Sequence, residues 1–438
     1  MKRIKERISP LVPLLVLGLF ILLFASVVRT SLFGVVVEEE KHLFFEISFL
    51  LLLAMVAEIA VIYLKQPSVV LLLVIGVLLS HSFIEMFWPV ASQLLPFLPG
   101  EAPVFIADEK IIQVLGQLGA IFILLKVGLH VKFGKIFNGE NGVVALFGVV
   151  VPFLAGYAYA VLTGESSVYG MFLGAALVAT SVGITVALLK EYGLLKTRFA
   201  EIILGAAIID DILGLLVLSF VSIFSSGTAD FWPVLQVIAY TVIFLVGGVV
   251  AGREFVKNFI DKSEFDSKNL LVVLSFAFSY AYIAEFIGLS SIVGAFLAGI
   301  LLNNSKHLSK IEEKTEALEL VFAPIFFISL GMLVDVGALS EFFVPIVVIT
   351  IIAIASKLIG CGIAGIFIKL KKVEAALVGL GMSPRGEVAL IVGLIGLAKG
   401  AINQEQYTII AAMSFLTAFL MPFLMQPLLK RVESAKQK

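Results

Sequence analysis

Charge is what this chain of 438 residues has little of. Asp, Glu, Lys and Arg make up only 14% of it, while 60% is hydrophobic and the mean hydropathy is +1.11. A soluble domain carries about 25% charged residues. That much apolar surface cannot be hidden in a water-soluble globule, which argues against a soluble enzyme and against a nucleic-acid partner. Disorder needs low hydrophobicity and high charge, so it is excluded too. The net charge of −1 gives the whole molecule no preference for an acidic or a basic partner. Cysteine occurs once, as Cys361, so there is no intrachain disulfide and no cysteine-based metal cluster. The four histidines show no zinc-ligand spacing, and no cofactor is expected. What is present is apolar sequence in long runs, the composition of an all-α polytopic membrane protein in a lipid bilayer.

Fourteen hydrophobic segments can be read, at approximately 11–29, 43–64, 68–88, 111–129, 142–163, 168–190, 199–224, 232–251, 270–288, 289–303, 318–336, 341–370, 373–398 and 405–430. The run 270–303 is too long for one span and is divided at Gly288-Leu289-Ser290-Ser291. Lys2, Arg3, Lys5 and Arg7 precede the first segment. Its apolar run from Leu11 to Val28 exceeds a signal peptide's and no cleavage pattern follows, so it reads as a retained helix. With the N-terminus in the cytoplasm, 24 of the 31 Lys and Arg fall on inside loops, 4 on outside loops and 3 within segments. This bias obeys the positive-inside rule and predicts both termini in the cytoplasm of a cell-membrane protein. No loop is long enough for a soluble domain, and no Gly-rich nucleotide signature follows the last span.

Ionisable groups at mid-membrane cost about 2.5–3.5 kcal/mol each and need a reason. Segment 199–224 carries Asp210 and Asp211 near its centre, segment 341–370 carries Lys357, and segment 373–398 carries Arg385 and Glu387 beside Pro384. Adjacent helical residues point about 100° apart, so the two aspartates cannot face one partner. Lys357 is the natural counter-ion of one of them; the other is left to face a cavity, where it can exchange a proton for a small cation. Segment 168–190 holds Thr180, Ser181, Gly183 and Thr185, small polar residues that allow a spanning helix to break and expose half-helix ends to an ion. SPRGE (383–387) suggests a second break. The two interrupted segments are the sixth and thirteenth, an odd offset that inverts orientation. This predicts two inverted five-helix repeats with crossed broken helices, segments three to seven and ten to fourteen.

These residues carry a family resemblance. ATSVGIT (179–185), ILGAAIIDDILGL (203–215), Lys357 in SKLIG, FAPIFF (322–327) and GMSPRGEVALIV (381–392) resemble the monovalent cation:proton antiporter-2 family, in particular its NapA-type sodium/proton antiporters, from about Phe44 to Glu433. The resemblance implies a homodimer working as an elevator that exchanges cytoplasmic Na⁺ or Li⁺ for external H⁺, electrogenically. It implies that Asp211 binds the cation (the transported metal ion) and the proton in turn, that Asp210 pairs with Lys357, that Thr180 and Ser181 mark the first helix break, and that Arg385 and Glu387 form a supporting ionic pair. It also implies a dimerisation domain (42–141 and 269–340), a core ion-transport domain (142–231 and 341–438), a linker (232–268, with its helix at 232–251) and an extra N-terminal helix and loop (1–41) outside the family pattern. Lys126, where the family pattern is neutral, lies near an inside loop and reads as a snorkelling side chain, a regulatory pairing with Glu58 or another carboxylate being the alternative. Glu46, Glu58, Glu85 and Glu285 read as interfacial or helix-pairing residues. A potassium/proton antiporter of the same fold is the nearest rival. An intramembrane aspartyl protease is disfavoured, because adjacent carboxylates on one helix do not converge on a shared proton. A passive channel is disfavoured for want of a repeated filter motif.

Overall fold

The computed structural model describes residues 39–64, 67–94, 102, 105–106, 109–131, 136, 138–226, 232–262 and 267–436. The expected first span, 11–29, lies outside the described residues. Among the described residues the regular structure is helical throughout. In chain order the helices are α1 (Glu39–Leu64), α2 (Ser68–Leu79), α3 (His81–Leu94), α4 (Glu109–Gly128), α5 (Gly139–Leu162), α6 (Ser167–Val178), α7 (Gly183–Glu191), α8 (Arg198–Ser226) and α9 (Trp232–Val242). There follow α10 (Gly248–Phe255), α11 (Ser267–Phe286), α12 (Ser291–Leu302), α13 (Leu308–Met332), α14 (Val336–Glu341), α15 (Phe343–Phe367), α16 (Lys372–Gly381), α17 (Glu387–Ala398) and α18 (Gln404–Lys436). Among the described residues eight spans are long and apolar enough to cross a membrane, nine if the bent pair α2–α3 counts as one, and shorter apolar helices lie at Leu270–Phe286, Ser291–Leu302 and Val388–Ala398. The chain is a multi-pass membrane protein.

Backbone groups in a bilayer must be satisfied internally, which dictates how each helix starts and stops. The Asn138 side chain accepts from Asn141 N to open α5, and Ser166 accepts from Tyr169 N to open α6. Between α11 and α12, Gly288 adopts φ +93° and Ser290 receives Ile292 N, so the expected division at Gly-Leu-Ser-Ser is where the chain turns. Three features depart from the hydropathy reading. Segment 68–88 is bent by 66° at Ser80, whose hydroxyl donates to Val77 O (2.8 Å) and receives Phe83 N (3.3 Å), ending one helix and capping the next. The helix expected over 232–251 continues to Ile260 through two π turns, Ile243–Gly247 and Val256–Ile260; the Tyr280 hydroxyl bonds the carbonyl of Gly248 beside the first. And α13 starts at Leu308, ten residues before the apolar run, because its charged first turns are helical although hydrophilic.

The chain divides into two compact units. The first comprises Met1–Gly119 and Leu320–Glu341. Within it α2 meets the end of α13 at two glycines: a Cβ on Gly331 would stand 2.7 Å from the Gly76 Cα. Ser82 there donates to Val334 O and receives Val336 N, both at 2.9 Å. The second unit comprises Ala120–Glu319 and Phe342–Lys438. In it α5 packs against α6, α8 and α15, and α18 packs against α15, α16 and α17, so that the aspartate helix, the lysine helix and both interrupted segments share one core.

Candidate functional site

α8 places Asp210 and Asp211 mid-helix, and the 100° between them separates their surroundings. Asp210 is 1% exposed and faces α15, where Lys357 Nζ donates to Oδ1 at 3.0 Å and Oδ2 at 3.1 Å with both side chains fully buried. The pair exists because α5 offers no side chain at its crossing. A Cβ on Gly148 would stand 2.7 Å from Cys361 Sγ, 3.4 Å from Lys357 Nζ and 3.6 Å from Asp210 Oδ1. Asp211 is half-buried and lines a cleft together with Thr180, Ser181, Ser290 and Gly386 among apolar side chains such as Leu124 and Phe296. The cleft has ≈ 30 Å³ for water centres. At about 10–15 Å³ per water, that is room for a small ion with one or two waters of hydration.

The cleft floor is a crossing of two broken helices. α6 ends at Val178 and α7 resumes at Gly183; α16 ends at Gly381 and α17 resumes at Glu387. The unwound stretches satisfy one another. Ser181 N donates to Pro384 O (2.8 Å), Thr180 Oγ1 to Met382 O (3.2 Å) and Thr185 Oγ1 to Gly381 O (2.8 Å). Thr180 also neighbours the Asp210 carboxylate, which links the break to the buried pair. A Cβ on Gly386 would come within 2.8 Å of Ser181, so only glycine lets the second stretch pass the first. Neither α7 nor α17 has a side-chain N-cap, so the positive ends of two half-helices and the negative ends of two others meet at the crossing.

Arg385 is 1% exposed. Its guanidinium donates to Ser383 O, to Met382 O (3.4 Å) and to Ala353 O (3.2 Å), and its backbone N–H is received by Thr417 Oγ1 (3.0 Å). The arginine therefore caps carbonyls that the broken α16 leaves exposed. Glu387 opens α17; its side chain lies outside the described residues. Thr417, a polar residue in the apolar run of α18, and Gly148 belong to this site and were not singled out in the sequence; a lone hydroxyl and a lone glycine are weak signals in a spanning helix.

Lys126 does not snorkel. It is 8% exposed and pairs with Glu316 (2.7 Å) and Glu319 (3.3 Å) on α13, and Glu319 also binds Lys190 on α7. The carboxylates escaped the sequence reading because they lie at the charged edge of the hydrophobic part of α13, Glu316 before it and Glu319 at its start. Of the other acidic residues, Glu58 and Glu285 are exposed, Glu85 pairs with His81 (3.0 Å), and Glu46 is 1% exposed.

The sequence from 47 to 431 matches the family described as sodium/hydrogen exchanger, transmembrane. The Na(+)/H(+)-K(+) antiporter GerN of Bacillus cereus is 31% identical over 405 residues, covering 91% of this chain and 98% of its own. The Na(+)/H(+) antiporter of Enterococcus hirae is 34% identical over 329 residues, covering 72% and 84%. The solved structure of the sodium proton antiporter MjNhaP1 from Methanocaldococcus jannaschii at pH 8 superposes with a TM-score of 0.64 at 18% identity, over 89% of this chain and 100% of that one.

Proposed function

The chain belongs to the transmembrane sodium/hydrogen exchanger family, and we propose that it exchanges cytoplasmic Na⁺ (or Li⁺) for external H⁺. The observation that carries this reading is the half-buried Asp211 in a cleft sized for a small hydrated ion, one residue from a fully buried Asp210–Lys357 pair and beside two crossed helix breaks. A single carboxylate filled by either Na⁺ or H⁺ couples the two: the core crosses only when loaded, and empty crossing is discouraged by the cost of an uncompensated charge at mid-membrane. Thr180 and Ser181 supply oxygens at the break, and Lys357 releases a proton when Na⁺ loosens its hold on Asp210. Two protons then enter per sodium expelled, and transport is electrogenic. Arg385, with Glu387, keeps the second break in shape.

The same reading takes the fold as fourteen spans with both termini cytoplasmic, built from two inverted five-helix repeats. The core (142–231 and 341–438) moves as an elevator against a dimerisation domain (42–141 and 269–340) in a homodimer, with 232–268 as the linker and 1–41 as an additional helix and loop. The similarity to the Na(+)/H(+)-K(+) antiporter supports a second reading, in which K⁺ is also carried. Dye-monitored proton flux in proteoliposomes tests both. Na⁺ and Li⁺ pulses are expected to move protons in a voltage-dependent way. A proton response to K⁺ as well as to Na⁺ would favour the second reading, and no response to any cation would refute both.

A further inference from the structure

A second, wider cleft lies along the same helices as the first. Ile123 of α4 lines the wide cleft and its neighbour Leu124 the narrow one. Lys190 lines the wide cleft from one end of α7, and Val182 lines the narrow one at the other. On α8, Glu201 lines the wide cleft, while Leu204, Ile208 and Asp211 line the narrow one. Spacings of three, four and three residues put these four on one helical face, about 15 Å long at 1.5 Å per residue. The wide cleft, with ≈ 400 Å³ against ≈ 30 Å³, thus lies along the face of α8 that ends at Asp211, where an entrance vestibule would stand.

Its lining carries charge of both signs. Lys126, Lys190 and Lys196 line it, with Glu201 and Glu319. Glu319 is 5% exposed and bonded to both Lys126 and Lys190; Glu316 takes a second contact with Lys126, and beside them His130 meets Glu312 at 3.2 Å. Charges along a cleft with low-dielectric walls change the local concentration of ions. We infer that the Glu319–Lys126–Lys190 cluster determines cation access to the site, Glu319 holding two lysines that would otherwise repel Na⁺ from the vestibule. This inference rests on the reading of Asp211 as the cation site. The cluster touches no transported ion in that site; it acts through the field at the mouth. A unit charge about 10 Å from the passing ion alters its local concentration about twofold at a water-like dielectric and about seventeenfold at an effective protein dielectric of about 20, before screening by salt.

The test is the apparent KM for Na⁺ in proteoliposomes, with the vestibule side bathed in choline salt at about 20 mM and at about 300 mM ionic strength. At low salt Glu319→Gln is expected to raise KM about two- to tenfold, and Lys190→Gln and the exposed Lys196→Glu to lower it by a similar factor. At high salt all three should converge on the wild-type value, because the Debye length shrinks below the width of the vestibule. Lys196→Glu lies on the surface and keeps the test alive if Glu319→Gln does not fold. A helix brace without influence on access would change maximal rate or melting temperature while leaving KM and its salt dependence alone, and that result overturns the inference. Wild-type protein that exchanges no Na⁺ for H⁺ overturns the inference together with the proposed function; normal exchange with a charge-independent KM overturns the inference alone.

Discussion

Two aspartates adjacent in sequence have opposite surroundings, and the helix pitch is the reason. Asp210 is sealed against Lys357, while Asp211 opens on a cleft. Removing one member of a buried pair leaves an uncompensated charge, at a cost of about 3–5 kcal/mol, whereas removing both is often near neutral. Lys357→Ala is therefore expected to lower the melting temperature of the purified protein markedly. Asp210→Asn combined with Lys357→Met should recover most of that loss while the voltage response of transport stays weak; a double variant as unstable as the single one would show that the pair is not the source of the loss. Gly148→Ala pushes a methyl to 2.7 Å from Cys361 Sγ, overpacking worth about 1–3 kcal/mol, and Cys361→Ala should relieve it; the same thermal scan checks both. Aspartate and lysine were legible in the sequence because charge in an apolar run is conspicuous. Gly148 was not, because its role is to be absent at a place that only the crossing of α5 and α15 defines.

The helix breaks shape the candidate site, and they were legible where sequence chemistry makes a helix fail. Pro384 removes an N–H, and Thr180 and Ser181 offer hydroxyls to a freed backbone; the chain unwinds at both places. The 66° bend at Ser80 was not legible, because a serine within an apolar run has the same hydropathy signature whether it caps a new helix or faces a neighbour. The first turns of α13 escaped for the opposite reason: their charge hides a helix until Glu316 and Glu319 are seen to meet Lys126 and Lys190. Arg385 spans the second break with bonds to three carbonyls from α15 and the unwound stretch, a geometry that a lysine cannot reproduce. Arg385→Lys and Arg385→Gln are accordingly expected to destabilise to similar extents, by about 2–3 kcal/mol in thermal unfolding. Full recovery by lysine would mean that positive charge alone matters there.

For the whole molecule, the proposed two-for-one exchange would make the membrane potential a driving force. One net charge is worth about 2.3 kcal/mol per 100 mV, so about 150 mV supplies roughly 3.5 kcal/mol, a few hundredfold in sodium gradient. An imposed inside-negative potential is expected to accelerate Na⁺ export from right-side-out vesicles, and a rate indifferent to voltage would exclude the two-for-one stoichiometry. All of this depends on Na⁺ and H⁺ competing for Asp211. The most direct measurement is calorimetric titration of the purified protein with Na⁺ in two buffers of different ionisation enthalpy, for the wild type and for Asp211→Asn. The account predicts that the wild type binds Na⁺ with release of protons and with affinity that falls as the pH is lowered, and that the variant gives no binding heat. Sodium binding to Asp211→Asn with undiminished affinity and the same proton release would contradict it.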